Sequence, residues 1–311
     1  MTIYPERNPG RPDYEKWNPE EIELEKRYLE ILEEFCRTQL VNNLGSRSLP
    51  AEKIKELVAY WVSSIIPFVG GVRDKLERRK LSLQQLCGLE KSEILQFFLN
   101  RMDTRKAGLE SYSDWLGEDL TQVIQQQANS RSEPVRILDI GCADGVFLQD
   151  CMKRFPMQVL PSGIAIRNEG AERRPGIDFR TCLAEVMPEN FGERFDLTIS
   201  VNATMYFIDP EMAFNEALRG LQKDGWLYYG HGTLKPEQVK FDVMGKMLNG
   251  MSEDEIISLF VGRHKMFWER AAYLVEEATF SKFNRQFEVK EMKWKSSQPW
   301  TDIAMRVIRK D

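Results

Sequence analysis

One stretch of the chain constrains the fold more than any other. The apolar run Val135–Ile140 leads directly into Gly141 and Gly145, and a second apolar run follows at 146–148. The first run is too short and too aliphatic for a surface helix, and glycines between apolar runs are typical of a tight turn. The pattern therefore predicts a buried parallel strand, a turn and a helix. Glycine brings backbone close to a ligand and a helix start offers unpaired N–H groups, so we expect a nucleotide-like ligand here.

The spacing of the small residues separates two ligand classes. Dinucleotide-binding proteins carry G-x-G-x-x-G, with an acid about 20 residues further on. This chain has Gly141, Ala143 and Gly145 at alternate positions, with Asp139 near the strand end, so a nicotinamide dehydrogenase is poorly matched. The segment resembles the first motif of class I S-adenosylmethionine (SAM) methyltransferases, in which an acid ends the first strand and a glycine-rich turn follows.

The rest of the chain extends this resemblance. Strand patterns alternate with helix patterns after the turn, which predicts a parallel sheet with helices on both faces. The further predicted strands are 158–166, 177–180, 195–201, 226–230, 287–294 and 302–308. Together with A-E-x-M-P at 184–188 and Lys-Asp-Gly-Trp at 223–226, the strands up to 226–230 resemble the ordered motifs of the same family over about residues 134–230. The last two predicted strands fit the antiparallel sixth and seventh strands of that family. The resemblance implies a seven-stranded Rossmann-like methyltransferase sheet, with SAM as cofactor and S-adenosylhomocysteine as product.

Two positions depart from the family pattern. An acid usually ends the second strand and receives the ribose hydroxyls, and Ala165 stands there instead. Glu169 can reach back from the following turn, or Arg167 and Asn168 can supply other hydrogen bonds. Leu183 replaces the aspartate expected to contact adenine, which leaves that contact to the backbone around Ala184. Two lost polar contacts would weaken SAM binding if nothing replaced them.

The resemblance assigns one set of positions to the cofactor. In it, Asp139 helps to hold SAM, and the turn after the first strand supplies backbone contacts. The full predicted set is Asp139, Gly141, Cys142, Ala143, Gly145, Arg167, Ala184, Glu185 and Val201.

Three residues are candidates for contacting or deprotonating the methyl acceptor. Methyl transfer needs an aligned acceptor atom, exclusion of water and, for a hydroxyl acceptor, a base. His231 follows the fifth strand and His264 lies in the predicted helices beyond it. Histidine titrates near neutral pH, which suits proton removal, although His231 between two glycines also fits a plain turn residue. Tyr206 follows the fourth strand, where this family lines the methyl-transfer region.

The sequence predicts three regions. Residues 1–13 hold three prolines and form a flexible arm, and residues 14–128 show helical patterns throughout, including one predicted helix at 109–128. The SAM-binding domain is expected at 129–311, with a helical insertion at about 236–280 between strands 5 and 6. The N-terminal helices fit a lid over the substrate, a dimerisation surface for a homodimer, or packing support only.

Composition limits the class of partner. The net charge of −5 gives no general attraction for polyanions, so nucleic acid is disfavoured. Five cysteines without C-x-x-C spacing suggest neither zinc nor disulfides, and the two histidines give no recognisable metal-ligand set. No leader and no apolar run of about 18 residues is present, so we expect a cytoplasmic protein that does not enter the membrane.

Two functional interpretations remain open from the sequence. The first is a SAM-dependent methyltransferase acting on a small organic acceptor enclosed by helices. The second is a protein that keeps this fold without methyl transfer, as a binding or scaffold subunit or as a SAM-retaining enzyme of another kind. Ala165 and Leu183 favour the second interpretation.

Overall fold

The computed structural model describes residues 17–69, 82–91, 93–94, 107–166, 174–231, 248, 250–278, 286–297 and 300–310. The predicted arm at 1–13, the position of Arg167 and most of the insertion before residue 250 lie outside these residues. In chain order the elements are α1 (Pro19–Leu44), α2 (Ala51–Val69), α3 (Leu83–Cys87), α4 (Leu109–Leu116), α5 (Leu120–Asn129), β1 (Val135–Ile140), α6 (Val146–Arg154), β2 (Val159–Ala165), β3 (Asp178–Thr181), β4 (Phe195–Val201), α7 (Pro210–Gly220), β5 (Leu221–His231), α8 (Glu253–Ile257), α9 (Arg263–Glu277), β6 (Phe287–Ser297) and β7 (Trp300–Arg309). Short 3-10 helices cover Ala184–Val186, Glu189–Phe191 and Thr204–Tyr206.

The chain divides into two compact units. The first comprises 1–38, 49–103 and 235–258, and the second comprises 39–48, 104–234 and 259–311. This division groups α4 and α5 with the sheet, whereas the domain boundaries at 14–128 and 129–311 remain a prediction from the sequence. None of the helices in the described ranges is long and apolar enough to span a membrane.

The first unit is helical in its described part. Its first helix begins with a capping box, in which Asn18 Oδ1 accepts the Glu21 N–H at 2.8 Å and the Asn18 N–H donates to Glu21 Oε2 at 3.0 Å. Tyr28 and Leu32 on α1 and Trp61 on α2 are completely buried. Their burial supplies the apolar area that stabilises these helices, because helices gain most of their stability from tertiary packing.

The second unit is built on a seven-stranded sheet. The strand order is β3-β2-β1-β4-β5-β7-β6. The first five strands are parallel, and β7 runs antiparallel to both of its neighbours. The observed β1 and β4 have the predicted bounds, and the predicted Rossmann-like sheet is confirmed.

Helices cover both faces of the sheet because successive strand residues point to opposite sides. Leu138 and Ile140 of β1 join a core cluster with α7 and α9. Ile137 of the same strand joins a second cluster with α4, α5 and α6. The continuous apolar character of β1 therefore reflects burial on both faces.

One helical segment differs from its predicted bounds. The helix predicted at 109–128 is interrupted at Gly117, which has a left-handed φ of 65°, and α5 restarts after the N-cap Asp119. The apolar periodicity continues through this place, so it does not reveal the interruption.

In the insertion, Ser252 caps α8 and a π turn over Ser258–Gly262 joins α8 to α9.

A buried carboxylate ties the start of β1 to β4. Asp196 is 1% exposed, forms an ion pair with Arg131 and accepts the Arg136 N–H at 2.7 Å. A buried charge needs such partners because its desolvation is costly. Asp196 therefore fixes the entry of β1 alongside β4.

Two aromatic residues bury polar atoms in the cluster beside α9. Tyr229 and Trp268 have ring centroids 6.0 Å apart. In the described part of the chain, neither the Tyr229 hydroxyl nor the Trp268 Nε1 has a hydrogen-bond partner. An unpaired buried donor of this kind lowers stability by about 1–3 kcal/mol.

We expect Asp196→Ala to lower the free energy of unfolding by about 2–4 kcal/mol, because Arg131 and the Arg136 N–H lose their acceptor. Urea denaturation measures this change. The control is Glu133→Ala, because Glu133 is largely exposed and pairs with Arg136 at 3.4 Å; it should change stability by less than about 0.5 kcal/mol. Equal effects of the two variants would contradict the assignment.

Candidate cofactor site

The turn between β1 and α6 has left-handed backbone at alternate residues. The φ angles are 82° at Gly141, 47° at Ala143 and 72° at Gly145. A Cβ built on Gly141 would lie 2.3 Å from the Ala203 Cβ, and one on Gly145 would lie 2.4 Å from the Phe179 ring. The sequence predicts that these glycines permit the close approach of a ligand. The structure gives a different reason, since protein atoms already fill both Cβ positions.

Most backbone N–H groups of the turn are used within the protein. Gly141 and Cys142 both donate to the Ile164 carbonyl, at 2.9 and 3.0 Å, and Gly145 donates to the Cys142 carbonyl at 2.8 Å. The Ala143 N–H has no partner among the described residues. Gly141 and Ala143 are also partly exposed. The turn therefore presents Ala143 as its available backbone donor.

Asp139 lies beneath this turn with no exposed surface. The Tyr112 hydroxyl on α4 donates to Asp139 Oδ2 at 3.1 Å. The Tyr112 ring stacks on Phe147 of α6, with centroids 4.3 Å apart and planes 5° apart. The sequence alone does not identify Tyr112 as a site residue, because its spacing on an apolar helix face gives no indication of which distant polar group it meets.

Burial dominates the electrostatics of this pair. It raises the pKa of Asp139 to about 8, although the hydrogen bond from Tyr112 acts in the opposite direction. Burial and the nearby Asp139 also raise the pKa of Tyr112 well above its ordinary value. Tyr112 therefore stays neutral, and its hydroxyl donates a hydrogen bond to the carboxyl group.

A second acid secures the far end of the turn. Asp144 accepts from Arg174 Nη2 at 3.1 Å and from the Val146 N–H at 3.3 Å. Arg174 also donates to the Asp144 carbonyl oxygen and to Gln149 on α6. These contacts join Arg174 to the start of α6.

The two departures from the family pattern are both buried. Ala165 ends β2 and is 8% exposed, and Leu183 is 2% exposed. The Cys182 N–H donates to the Ala165 carbonyl at 3.0 Å, which places the two segments side by side. Ala184 follows as the first residue of a 3-10 helix. Arg167, the predicted substitute for the missing ribose contact, lies outside the described residues.

Glu185 makes an internal contact. It is 1% exposed, and its Oε1 accepts the N–H groups of Ile208 at 2.7 Å and Asp209 at 3.2 Å. Burial raises its pKa to about 7, while the hydrogen bonds from the backbone counteract part of the rise. Its carboxylate is thus directed at the start of α7.

The carboxyl ends of the central strands carry small residues. Val201 of β4 pairs with Gly230 of β5, and Gly230 pairs with Ala304 of β7. His231 pairs with Ile303 at the end of β5. The structure thus brings Val201 and His231 to neighbouring strand ends.

The remaining acceptor candidates lie on two other elements. Tyr206 ends the 3-10 helix after β4 and is 37% exposed. His264 is the second residue of α9. The side chains of His231 and His264 are outside the described part of the structure. Across the described ranges no three His, Cys, Asp or Glu residues are grouped as metal ligands.

Comparison with known proteins adds a family match. Residues 112–264 match a family model described as a methyltransferase domain. No curated protein matches the chain. Similar solved structures include the plantazolicin methyltransferase BpumL, at 15% identity over 64% of this chain and 85% of that chain, with a TM-score of 0.42. Another is the CMeT domain of citrinin polyketide synthase, at 13% identity over 94% of this chain and 90% of that chain, with a TM-score of 0.40.

The strand order, with β7 inserted antiparallel between β5 and β6, and the small-residue turn after β1 define a Rossmann-like methyltransferase fold. The family match places that turn inside the matched residues. The chain therefore carries a class I methyltransferase domain, and its methyl donor is S-adenosylmethionine.

We expect Asp139→Asn to flatten the pH dependence of stability. The unfolded carboxyl titrates near about 3.9, and the folded one at about 8. Between these values only the unfolded state has released the proton, so the contribution of Asp139 to stability falls as pH rises from about 4 to about 8. Urea denaturation at several pH values across this range should show a smaller loss of stability for the variant than for the wild type.

The control for this measurement is Asp114→Asn, on the exposed side of the same helix as Tyr112. It should keep the wild-type slope. A slope for Asp139→Asn that parallels the wild type would show that the Asp139 carboxyl does not hold its proton in the folded state.

Proposed function

We propose that this enzyme transfers the SAM methyl group to a small organic acceptor at the carboxyl edge of β1, β4 and β5. The observation that carries the proposal is the turn after β1, where Gly141 and Ala143 are partly exposed above the buried Asp139. Ligands of open α/β sheets bind at this edge.

The donor set fits the cofactor. When bound, SAM supplies a methyl group attached to a sulfonium centre. The Ala143 N–H can donate to an acceptor atom of the cofactor, and the backbone at Gly141 can approach it. Asp139 can accept a hydrogen bond from the cofactor directly or through water. Ala184 offers backbone contacts for adenine, and Val201 an apolar surface.

The chain's task at the acceptor is alignment, exclusion of water and proton removal. Tyr206 follows β4 and His231 ends the neighbouring strand β5, and we propose that both reach an acceptor held above the edge. His264 is the alternative base from the insertion. We propose that the N-terminal helices and the insertion enclose the acceptor; their alternative role is a homodimer surface.

A second function, a cofactor-binding protein without methyl transfer, is favoured by Ala165 and Leu183, which remove two polar contacts. Calorimetric titration with SAM, S-adenosylhomocysteine and NAD separates the possibilities. We expect binding of SAM and S-adenosylhomocysteine and none of NAD. Absence of SAM binding would contradict the enzymatic function, and NAD binding would contradict the family assignment.

We expect replacement of the acceptor base to lower kcat by about 100-fold or more without changing the affinity for S-adenosylhomocysteine. The test uses label transfer from methyl-labelled SAM to a panel of small hydroxyl, amine and carboxylate compounds, with His231→Gln, His264→Gln and Tyr206→Phe. Tyr273→Phe is the matched control, since Tyr273 is 57% exposed on α9. Wild-type turnover in all three variants would exclude these residues as the base.

A further inference from the structure

The segment that joins β4 to α7 is held by a buried acid outside that segment. It contains the 3-10 helix Thr204–Tyr206 and the helix start at Asp209. Glu185 Oε1 accepts two consecutive N–H groups of this segment, from Ile208 at 2.7 Å and Asp209 at 3.2 Å. Hydrogen bonds to an ionised carboxylate are roughly twice as strong as neutral ones, so this contact is a strong restraint on the segment.

Glu185 is itself held on a rigid base. The Met187 N–H donates to Glu216 Oε2 on α7 at 2.9 Å. Arg219 on α7 donates to the Met187 carbonyl at 3.2 Å and also bonds Glu216 at 2.8 Å. The 3-10 helix that carries Glu185 is thus tied to the middle and the end of α7. The carboxylate therefore acts from a fixed position.

The restraint reaches the proposed cofactor turn through direct contacts. The Tyr206 N–H donates to the Ala203 carbonyl at 2.8 Å. Ala203 packs so closely against Gly141 that a Cβ built on Gly141 would lie 2.3 Å from the Ala203 Cβ. A shift of the segment at Ile208 would therefore move Ala203 against or away from Gly141. Neither residue has a flexible side chain to absorb the shift.

We propose that Glu185 is a positioning residue for methyl transfer. Its carboxylate fixes the chain after β4, and through Ala203 it sets the turn at Gly141 on which the cofactor lies. The direct contact of Glu185 with the cofactor stays a prediction from the sequence, and the positioning role is separate from it. The functional part of this inference rests on the proposed function, whereas the restraint on the segment does not.

The charge of Glu185 is sensitive to pH near neutrality. Burial raises its pKa to about 7. The titratable groups that face it are Asp209 at the start of α7, Tyr229 on β5 and Cys182 after β3. All three are neutral or acidic, so they give no opposing charge that would keep the carboxylate ionised. Protonation below about pH 7 weakens the two hydrogen bonds, and the segment is held less firmly.

Two substitutions separate the restraint from its charge. Glu185→Gln keeps an oxygen that can accept both N–H groups but cannot ionise, whereas Glu185→Ala removes the acceptor. The matched control is Glu189→Ala, because Glu189 also accepts a backbone N–H, from Ser46 at 2.7 Å, and is exposed. Each variant is compared with the wild type by hydrogen exchange without ligand and by calorimetric titration with S-adenosylhomocysteine.

We expect Glu185→Ala to increase hydrogen exchange in 203–210 and to weaken S-adenosylhomocysteine binding by about tenfold, as expected for about 1.4 kcal/mol. Glu185→Gln should restore most of both. The difference in affinity between the wild type and Glu185→Gln should change across pH 6 to 8, and since Asp139 is common to both proteins, this difference reports Glu185. Glu189→Ala should match the wild type.

Unchanged exchange in 203–210 and unchanged affinity in Glu185→Ala, even with a lower melting temperature, would overturn the positioning role. Faster exchange with unchanged affinity would overturn its link to the cofactor turn. If the wild type itself fails to bind S-adenosylhomocysteine, the proposed function fails, and the exchange result still decides whether Glu185 holds the segment.

Discussion

The candidate site depends on the close approach of Gly141 to Ala203. The chain leaving β1 and the chain leaving β4 meet there with no side chain between them. Gly141 has a φ of 82°, and Asn202 just before Ala203 has a φ of 57°, so both segments turn sharply as they leave the sheet. The shape of the cofactor turn is therefore fixed by protein packing. A ligand meets a preformed surface, which reduces the ordering that binding must bring about.

Much of the sheet could be predicted from the sequence, because apolar runs buried on both faces end at glycines or polar residues. The run that forms β1 is one example, since Gly141 follows it directly. Gly117 was harder to interpret, because the apolar spacing of the surrounding helix continues across it. The left-handed conformation of Gly117 and the cap at Asp119 break the helix, and these local features override the apolar periodicity.

The candidate site was predictable only in part. Its position followed from the motif, but the partners of its buried groups did not. Tyr112 is 27 residues from Asp139, and a single sequence does not specify which helix face will cover a strand end. Glu185 was assigned by resemblance to the cofactor, whereas its oxygen is bonded to the Ile208 and Asp209 N–H groups. Direct contact between Glu185 and the cofactor remains a prediction.

Asp139 and Glu185 are two buried acids whose hydrogen-bond partners differ. Burial raises the pKa of both acids toward neutrality. For Asp139, burial outweighs the one hydrogen bond from the Tyr112 hydroxyl, so the carboxyl group keeps its proton up to about pH 8. Glu185 faces two amide donors, which favour its ionised form and lower its pKa relative to burial alone. One acid lies under the turn and the other beside it.

The Tyr229 hydroxyl lies in a cluster of aromatic rings, where it has no hydrogen-bond partner among the described residues. Its ring packs against Phe214 and Phe267, so a phenyl group would preserve the same shape and apolar contacts. The unpaired hydroxyl therefore lowers the thermal stability of this part of the core. Its removal would raise the melting temperature without altering any residue assigned to methyl transfer.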